Sequence, residues 1–403
     1  MKLWMKIMIG LGLGIVTGLV LQEKAVYVKP VGTLFINAIK MLIIPLIFSS
    51  LIVGMTSLKD SKQLGRIGLK TLAIYLITTA FAVCIGLVVS TILQPGAGMM
   101  IDMGQSVTAK QAPPFIDTLV SIVPKNPLGA LSSGHVLQVI CFAIFLGIAI
   151  NITGEKADPF KRLCESVAEI MYTLTAIVME FAPYGVFALM AYVVGQYGAS
   201  TLLPLLKVIL AVYVGAILHV IFVYGSGISL VARLSPIKFF KGIVDAQAVA
   251  FTTTSSSGTL PVTIRCTQEN LGVSKSVSSF VLPMGATVNM DGTAIYQGVA
   301  ALFVAQASGI DLTMSNYITL ILASTLASIG TAGVPGAGLI MLSVTLSSIG
   351  LPMEGIALIA GIDRILDMAR TSVNVTGDAM TSVIVAKSEG EFDREIFEAT
   401  EAV

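Results

Sequence analysis

The sequence predicts an all-α membrane protein with eight transmembrane helices and two re-entrant helical hairpins that enter from opposite sides. Three observations carry that prediction. Of the 403 residues 12% are charged and 55% hydrophobic, with a mean hydropathy of +0.90, whereas a soluble chain carries about 25% charged residues. Apolar runs long enough to cross a hydrocarbon core, which takes about 20 helical residues, recur along the chain. Two further stretches of similar length are interrupted at their centres by glycine, proline and serine.

The apolar runs fall near residues 4–22, 31–57, 66–94, 128–152, 165–190, 200–230, 275–305 and 353–388. The start, Met1 to Leu21, carries two lysines and then an apolar stretch, as a signal peptide would, but no small-residue cleavage site follows, so a membrane helix is the better reading. Cytoplasmic loops are enriched in Lys and Arg near helix ends. Lys2 and Lys6, then Lys59, Lys62, Arg66 and Lys70, then Lys156, Lys161 and Arg162 share one side if each run crosses once. This places the N-terminus in the cytoplasm of a multi-pass protein of the inner (plasma) membrane.

Residues 237–266 carry Lys238 and Lys241 at one end and Arg265 and Lys275 at the other, so both ends face the cytoplasm. Their centre reads TTTSSSGTLP, too polar for a lipid-facing helix, and a hairpin with a protein-buried tip satisfies both facts. Residues 312–350 repeat the pattern around SIGTAGVPG without Lys or Arg at either end, which suggests entry from outside. Each hairpin is followed by a span interrupted by polar residues, NMDGT after the first and DMARTSVNVTGD after the second. Such paired, interrupted segments in two inverted halves point to a binding site at the bilayer midplane. Reading the tips as ordinary loops leaves the placement of basic residues unexplained.

At helical spacing Asp363, Asp367, Arg370, Thr371, Asn374 and Asp378 share one face. A charge at mid-membrane costs about 2.5–3.5 kcal/mol on insertion scales, so this face is expected to line a polar interior. The planar fork of Arg370 matches a carboxylate, and Asp367 could accept an ammonium group. The competing reading is an internal Asp367–Arg370 salt bridge that fixes packing and binds nothing. Asn289, Asp291, Asn374 and Asp378 are hard oxygen donors beside glycines that could let the helix unwind and expose carbonyls, which suits sodium or a proton. Asp291 could instead be a protonated packing residue.

The SSSGTLP tip, the NMDGT break, the GTAGVPG tip and the DMARTSVNVTGD helix, in this order, resemble the dicarboxylate/amino acid:cation symporter family, which includes the glutamate transporters. The resemblance runs nearly end to end. It implies the glutamate-transporter (elevator) fold with inverted repeats and a homotrimer. Residues 1–65 (spans 1–2) and 96–195 (spans 4–5) would form a fixed scaffold. Residues 66–95 (span 3) and 196–403 (span 6, hairpin 1, span 7, hairpin 2, span 8) would form a sliding transport domain, with hairpin 2 as gate. By similarity Ser255, Ser256, Thr293, Val334, Gly338, Asp367, Arg370, Thr371 and Asn374 would surround the substrate. One sodium would take Gly285, Asn289, Asn374 and Asp378, another Thr287, Ser328, Ile329 and Thr331, and a third Tyr75, Thr78, Thr79, Asn289 and Asp291. No organic cofactor is implied.

Some family members carry an arginine at the first tip or two residues before Arg370, where this chain has Thr254 and Met368, and Arg364 stands instead near the edge of the polar face. Asp367 favours an amino acid over a dicarboxylate and Arg370 an acidic side chain over a neutral one. The expected activity is uptake of L-aspartate or L-glutamate with sodium. A proton-coupled glutamate or C4-dicarboxylate carrier of the same fold is the alternative.

Other classes fit poorly. The net charge of +1 without a long basic cluster leaves no footprint for nucleic acid. Cys84, Cys141, Cys164 and Cys266 lack CxxC spacing and only His135 and His219 could join them, so free thiols and no zinc are expected. A channel needs rings of ligands around an axis. An intramembrane hydrolase with a serine of the 255–257 tip and His219 as base lacks GxSxG, and an Asp/Arg/Asn face has no role in it. The chain is therefore expected not to be an enzyme.

Overall fold

Polar and apolar residues are distributed the wrong way round for a water-soluble protein. Leu13, Val20, Ile92, Ile152 and Leu230 are exposed, whereas Asn289, Asp291, Arg370 and Asp378 are buried. The computed structural model describes residues 3–56, 62–99, 120, 123–328, 333, 336–353 and 355–399. Among them the regular structure is helical, apart from one isolated antiparallel bridge between Val273 and Phe392. Charges inside and large apolar side chains outside suit a lipid solvent, and the chain is an integral membrane protein. Among the described residues three stretches are long and apolar enough to cross a bilayer by themselves: Met5–Phe35, Arg66–Leu93 and Leu202–Val231.

The first group of helices is α1 (Leu3–Leu21), α2 (Lys29–Thr56), α3 (Lys62–Leu93), α4 (Pro127–Ser133), α5 (Val136–Thr153), α6 (Asp158–Glu180) and α7 (Ala182–Tyr197). Helices α1 and α7 lie backbone to backbone. A Cβ built on Gly10, Gly14 or Gly18 would come 2.4, 2.6 or 2.7 Å from the carbonyl oxygens of Pro183, Phe187 and Ala191. Only a stripe of glycines four residues apart allows that approach, as in helix pairs that associate without a hydrophobic drive. Helix α2 packs on α5, α6 and α7, so these elements form one layer. The continuous run expected over 165–190 is divided. Phe181 N–H bonds Val178 O at 3.1 Å in a tight turn, and Pro183 has no N–H to continue the ladder.

The second group begins with α8 (Leu202–His219), which continues into π-helical turns at Val220–Tyr224 and Gly227–Val231. Next come α9 (Pro236–Thr253) and α10 (Ser256–Glu269), joined through Thr254, which has left-handed φ of +54°. Asp245 and Arg265 form an ion pair at 3.4 Å, and Asn270 Nδ2 donates to Gly242 O at 2.9 Å. Residues nearly equidistant from Thr254 therefore face one another, so the two helices are antiparallel. Helices α11 (Lys275–Val288) and α12 (Asp291–Ala307) follow, separated by Asn289 in extended conformation and Met290. Helices α13 (Met314–Ser328) and α14 (Ala337–Ser348) form a second antiparallel pair, registered by a 3.4 Å contact between the hydroxyls of Ser324 and Thr345. The chain ends with α15 (Gly355–Ala360), α16 (Asp363–Glu389) and α17 (Arg394–Ala399).

The interruption expected at Asn289–Thr293 lies at Asn289 and Met290, but the second differs from expectation. Helix α16 runs unbroken through DMARTSVNVTGD, and the chain breaks earlier, between α15 and α16. Gly377 does not unwind the helix; it makes room, since a Cβ there would lie 2.5 Å from Tyr224 Oη and 2.6 Å from Asn289 Nδ2. Helix α16 packs on α9, α11 and α12, and α3 packs on α12. Its last turn is tied to the start of α3, where Lys70 Nζ lies 2.6 Å from Glu389 Oε1 and Arg66 also binds the Glu389 carboxylate.

Candidate substrate and cation site

Three elements meet at the middle of α16. The tip between α9 and α10 opens with Ser255, whose hydroxyl accepts from Gly258 N at 3.0 Å and so caps α10. The same hydroxyl donates to Gly333 O at 2.8 Å, and Ser257 N donates to that carbonyl at 3.1 Å. The tips of the two helix pairs are therefore in direct contact. Ser256 is buried at the start of α10. Beyond Gly333, Gly336 adopts φ of +82° at the start of α14, and its N–H donates to Asp367 Oδ2 at 3.2 Å. The N-termini of α10 and α14 both lie at this region, with Ser257 N, Gly258 N and Gly336 N already bonded.

Arg370 is 0% exposed. Its Nη1 is 2.8 Å from Asp363 Oδ1 and its Nη2 2.9 Å from Asp367 Oδ1, and the ring of Tyr296 lies beneath it with 4.2 Å between Cζ and the centroid. The internal Asp367–Arg370 pair weighed from the sequence is present, joined by Asp363. Two glycines admit the guanidinium and its backbone: a Cβ on Gly338 would stand 2.4 Å from Nη1, and one on Gly292 2.2 Å from Arg370 O. The contacts do not saturate the side chain. Nε is buried without a hydrogen-bond partner among the described residues, and Nη2 has only the ion-pair contact to Asp367 Oδ1. These two nitrogens form the edge of the fork that takes a carboxylate in two parallel bonds. Thr371 and Asn374 continue the face, Thr371 Oγ1 lying 3.5 Å from Asp367 Oδ1 and Asn374 Oδ1 accepting from Gly292 N at 2.8 Å. Thr293 is buried one turn above the break. Val334 lies outside the described residues. Arg364 reaches the first tip through a hydrogen bond to Thr254 Oγ1.

One turn along α16 a second polar cluster begins. Asn289 Nδ2 donates to Asp378 Oδ1 at 2.9 Å and to Asn374 O at 3.2 Å, while Asn289 Oδ1 is buried without a partner among the described residues. Gly285 leaves room for this carboxylate, since a Cβ there would lie 2.4 Å from Asp378 Oδ1 and 2.5 Å from Tyr75 Oη. Asp291 accepts from Thr79 Oγ1 at 2.6 Å and from Tyr224 Oη at 2.8 Å, and His219 Nε2 lies 3.2 Å away. Tyr75 donates to Val281 O at 3.1 Å and Thr78 to Tyr75 O at 3.1 Å. Asp291 and Asp378 have no Lys or Arg partner among the described residues. A buried carboxylate left in that state costs several kcal/mol, so the cluster has the donor chemistry of a cation site. Of the remaining set, Thr287 and Ser328 hydroxyls bond their own helices, to Met284 O and Thr325 O, and Ile329 and Thr331 lie outside the described residues.

A model of the sodium:dicarboxylate symporter family matches residues 3–388. The chain belongs to that family. Its similarity to individual members extends over nearly the whole chain. It is 39% identical to the proton/sodium-glutamate symport protein of Bacillus caldotenax, covering 97% of this chain and 95% of the relative. The proton/glutamate-aspartate symporter of Escherichia coli (strain K12) is 38% identical over 91% of this chain and 86% of its own. The C4-dicarboxylate transport protein 2 of Pseudomonas aeruginosa (strain UCBPP-PA14) is 36% identical over 98% of this chain and 93% of its own.

Four residues of this symporter's two clusters were not predicted as site residues. Asp363 was legible on the polar stripe, but no spacing rule gave it a role. Tyr296 stands three residues after Thr293 on α12, a helical neighbour that could have been nominated. His219 is legible only as a soft metal ligand or a hydrolase base, and Tyr224 carries no sequence signal at all.

Proposed function

We propose that the chain is a secondary active symporter that takes up acidic amino acids, L-aspartate or L-glutamate, coupled to sodium. The observation that carries this reading is the buried Nε–Nη2 edge of Arg370, whose Nε has no hydrogen-bond partner among the described residues and whose Nη2 meets only the carboxylate of Asp367. The distal carboxylate of the substrate binds that edge. Its ammonium group binds Asp367, and its α-carboxylate lies at the starts of α10 and α14, where helix dipoles favour an anion. Ser255, Ser256, Thr293, Val334, Gly338, Thr371 and Asn374 complete the wall.

Sodium enters as a co-transported substrate. The residues present fit it: hard oxygen donors only, two carboxylates without counter-charge, and the orphaned Asn289 Oδ1 aligned with the break between α11 and α12. One ion takes Gly285, Asn289, Asn374 and Asp378, one takes Tyr75, Thr78, Thr79, Asn289 and Asp291, and a third takes Thr287, Ser328, Ile329 and Thr331. Bound cations neutralise the buried carboxylates, which links ion binding to closure of the site over substrate.

The antiparallel pairs α9/α10 and α13/α14 are re-entrant hairpins of opposite orientation within an eight-span, trimeric elevator. Residues 1–65 and 96–195 form its scaffold, and 66–95 and 196–403 its moving body. The second hairpin is the gate, because among the described residues its tip is hydrogen-bonded to α16 through Gly336 N and Asp367 Oδ2 and to the first tip through the Gly333 carbonyl. Substrate ammonium competes for the same Asp367 oxygens. The N-terminus lies in the cytoplasm and the protein in the plasma membrane.

Calorimetry of the purified protein with L-aspartate, L-glutamate and succinate, each with and without sodium, tests the proposal. Sodium-dependent heat with the two amino acids is the expected result. A second reading, proton coupling, is favoured by the relatives named proton/glutamate-aspartate symporters. Uptake into proteoliposomes under a pH gradient alone, with no response to a sodium gradient, would select it.

A further inference from the structure

His219 is fully buried in an apolar helix, and the reading above gives it no task. Its Nε2 approaches Asp291 Oδ2 to 3.2 Å, and the Tyr224 hydroxyl donates to the same oxygen at 2.8 Å. The hydroxyl of Thr79 serves the other oxygen, Oδ1, at 2.6 Å. Asp291 Oδ2 is therefore gripped twice from one side, by α8 and the π-helical turn that prolongs it.

The grip depends on an irregularity of the backbone. On an α-helix the neighbours of a residue lie three and four positions away, so residues five apart point in different directions. Here α8 passes at His219 into the π-helical turn Val220–Tyr224, where Gly225 N–H bonds Val220 O, five residues back. That widened turn brings Tyr224 under His219, and the rings meet edge to face with centroids 4.7 Å apart. Single π turns inside α-helices are concentrated at functional sites. Packing alone does not require two polar heads on one carboxylate oxygen. His219 Nδ1 is buried without a partner among the described residues. We assign the ring proton to Nε2, where the carboxylate accepts it and no donor is left unpaired.

We infer that His219 and Tyr224 are positioning residues of the coupling-ion site: together they fix the plane of the Asp291 carboxylate from behind, so that its Oδ1 edge faces the cation beside Thr79. The inference rests on the reading of Asp291 as a cation ligand. A ligand carboxylate pinned in this way pays no orientational cost when the ion arrives. Loss of such outer partners typically weakens metal binding by about 10–100-fold.

The test is sodium binding rather than transport. Purified wild type, H219Q, H219L and Y224F are titrated with sodium chloride against choline chloride at constant ionic strength, and the unfolding midpoint is followed. Gln keeps an amide donor within reach of Oδ2; Leu keeps only volume. The expected result is that H219L needs about tenfold or more sodium for the half-maximal shift, Y224F several-fold more, and H219Q stays within about threefold of wild type, as partner loss in such shells predicts. The inference falls if H219L titrates like wild type, or if H219Q loses as much as H219L. A wild type that sodium does not stabilise would overturn the cation site and this assignment with it. Should H219L not be recovered folded, Y224F alone decides, since it removes one hydroxyl and leaves the ring packing in place.

Discussion

Asp363 and Arg370 meet at 2.8 Å two turns apart on α16, with the guanidinium fully buried. The pair fixes the head of Arg370 through Nη1, while Asp367 Oδ1 faces Nη2 and Nε is left without a partner among the described residues. Removing one member of a buried pair typically costs about 3–5 kcal/mol, because a charge is left without compensation. D363A should therefore lower the ligand-free unfolding midpoint by several degrees. An added acidic amino acid supplies a replacement carboxylate, so its stabilising shift should be larger in D363A than in wild type. Scanning calorimetry with and without L-aspartate measures both; equal midpoints and equal shifts would mean that the pair is idle.

Gly338 lies against the same head, and a methyl group there would stand 2.4 Å from Nη1 and 2.6 Å from Cζ. The guanidinium is held between two carboxylates and the Tyr296 ring, so it cannot yield without breaking one of those contacts. Overpacking of this kind costs about 1–3 kcal/mol. G338A should weaken acidic substrate about tenfold or more, while the helical content of α14 is unchanged. Titration calorimetry beside circular dichroism reads both; undiminished affinity would show that Arg370 has room to move.

How much of this was legible in the sequence depended on whether a local pattern determined the geometry. The break at Asn289 was readable, because polar residues and Gly292 interrupt an apolar run. Both tips were readable, since Ser255 to Gly258 and Gly333 to Gly336 supply a cap and glycines where a lipid-facing helix cannot have them. The stripe on α16 followed from spacing alone. Continuity of α16 was misjudged because polar residues suggested unwinding, yet their partners on α9, α11 and α12 satisfy them without it. The divide at Phe181 was missed because the apolar run passes through it and a single proline decides. Tyr224 was out of reach, since only the π-helical turn carries it to Asp291, and no periodicity announces that turn.

The C-terminal helix α17 supplies a pH dependence. Lys238 Nζ bonds Glu398 Oε2 at 2.7 Å and its backbone carbonyl at 2.8 Å, docking α17 on the start of α9. The lysine holds the Glu398 carboxyl below the ordinary glutamate range. A carboxyl lowered in this way stabilises above its unfolded value, near about 4.3, and that contribution is lost as the pH falls through the depressed value. The pair is exposed, so the effect is local. Hydrogen exchange in α17 should be unaffected from neutral pH down to the ordinary glutamate range, once corrected for intrinsic rates, and rise below it. K238M should show the raised exchange already at neutral pH. An α17 equally protected in K238M would show that Phe397, which is buried, holds the helix without the ion pair.

On the proposed reading, selectivity is decided at Asp367. In this structure its Oδ2 accepts the amide of Gly336 and its Oδ1 faces Arg370 Nη2. An ammonium group arriving there gains a charged partner, whereas a dicarboxylate such as succinate brings only like charge. D367A should therefore reduce affinity for L-aspartate by at least about 100-fold, in line with the roughly 3–5 kcal/mol lost when one partner of a desolvated charge pair is truncated. Succinate, which has no ammonium group to lose, should bind the variant no worse than wild type. The variant also frees the Gly336 amide, so the second tip should exchange hydrogen faster in the absence of ligand. Competition binding with the two solutes separates the two consequences. A parallel loss for aspartate and succinate would mean that Asp367 acts on the tip alone and makes no contact with an ammonium group.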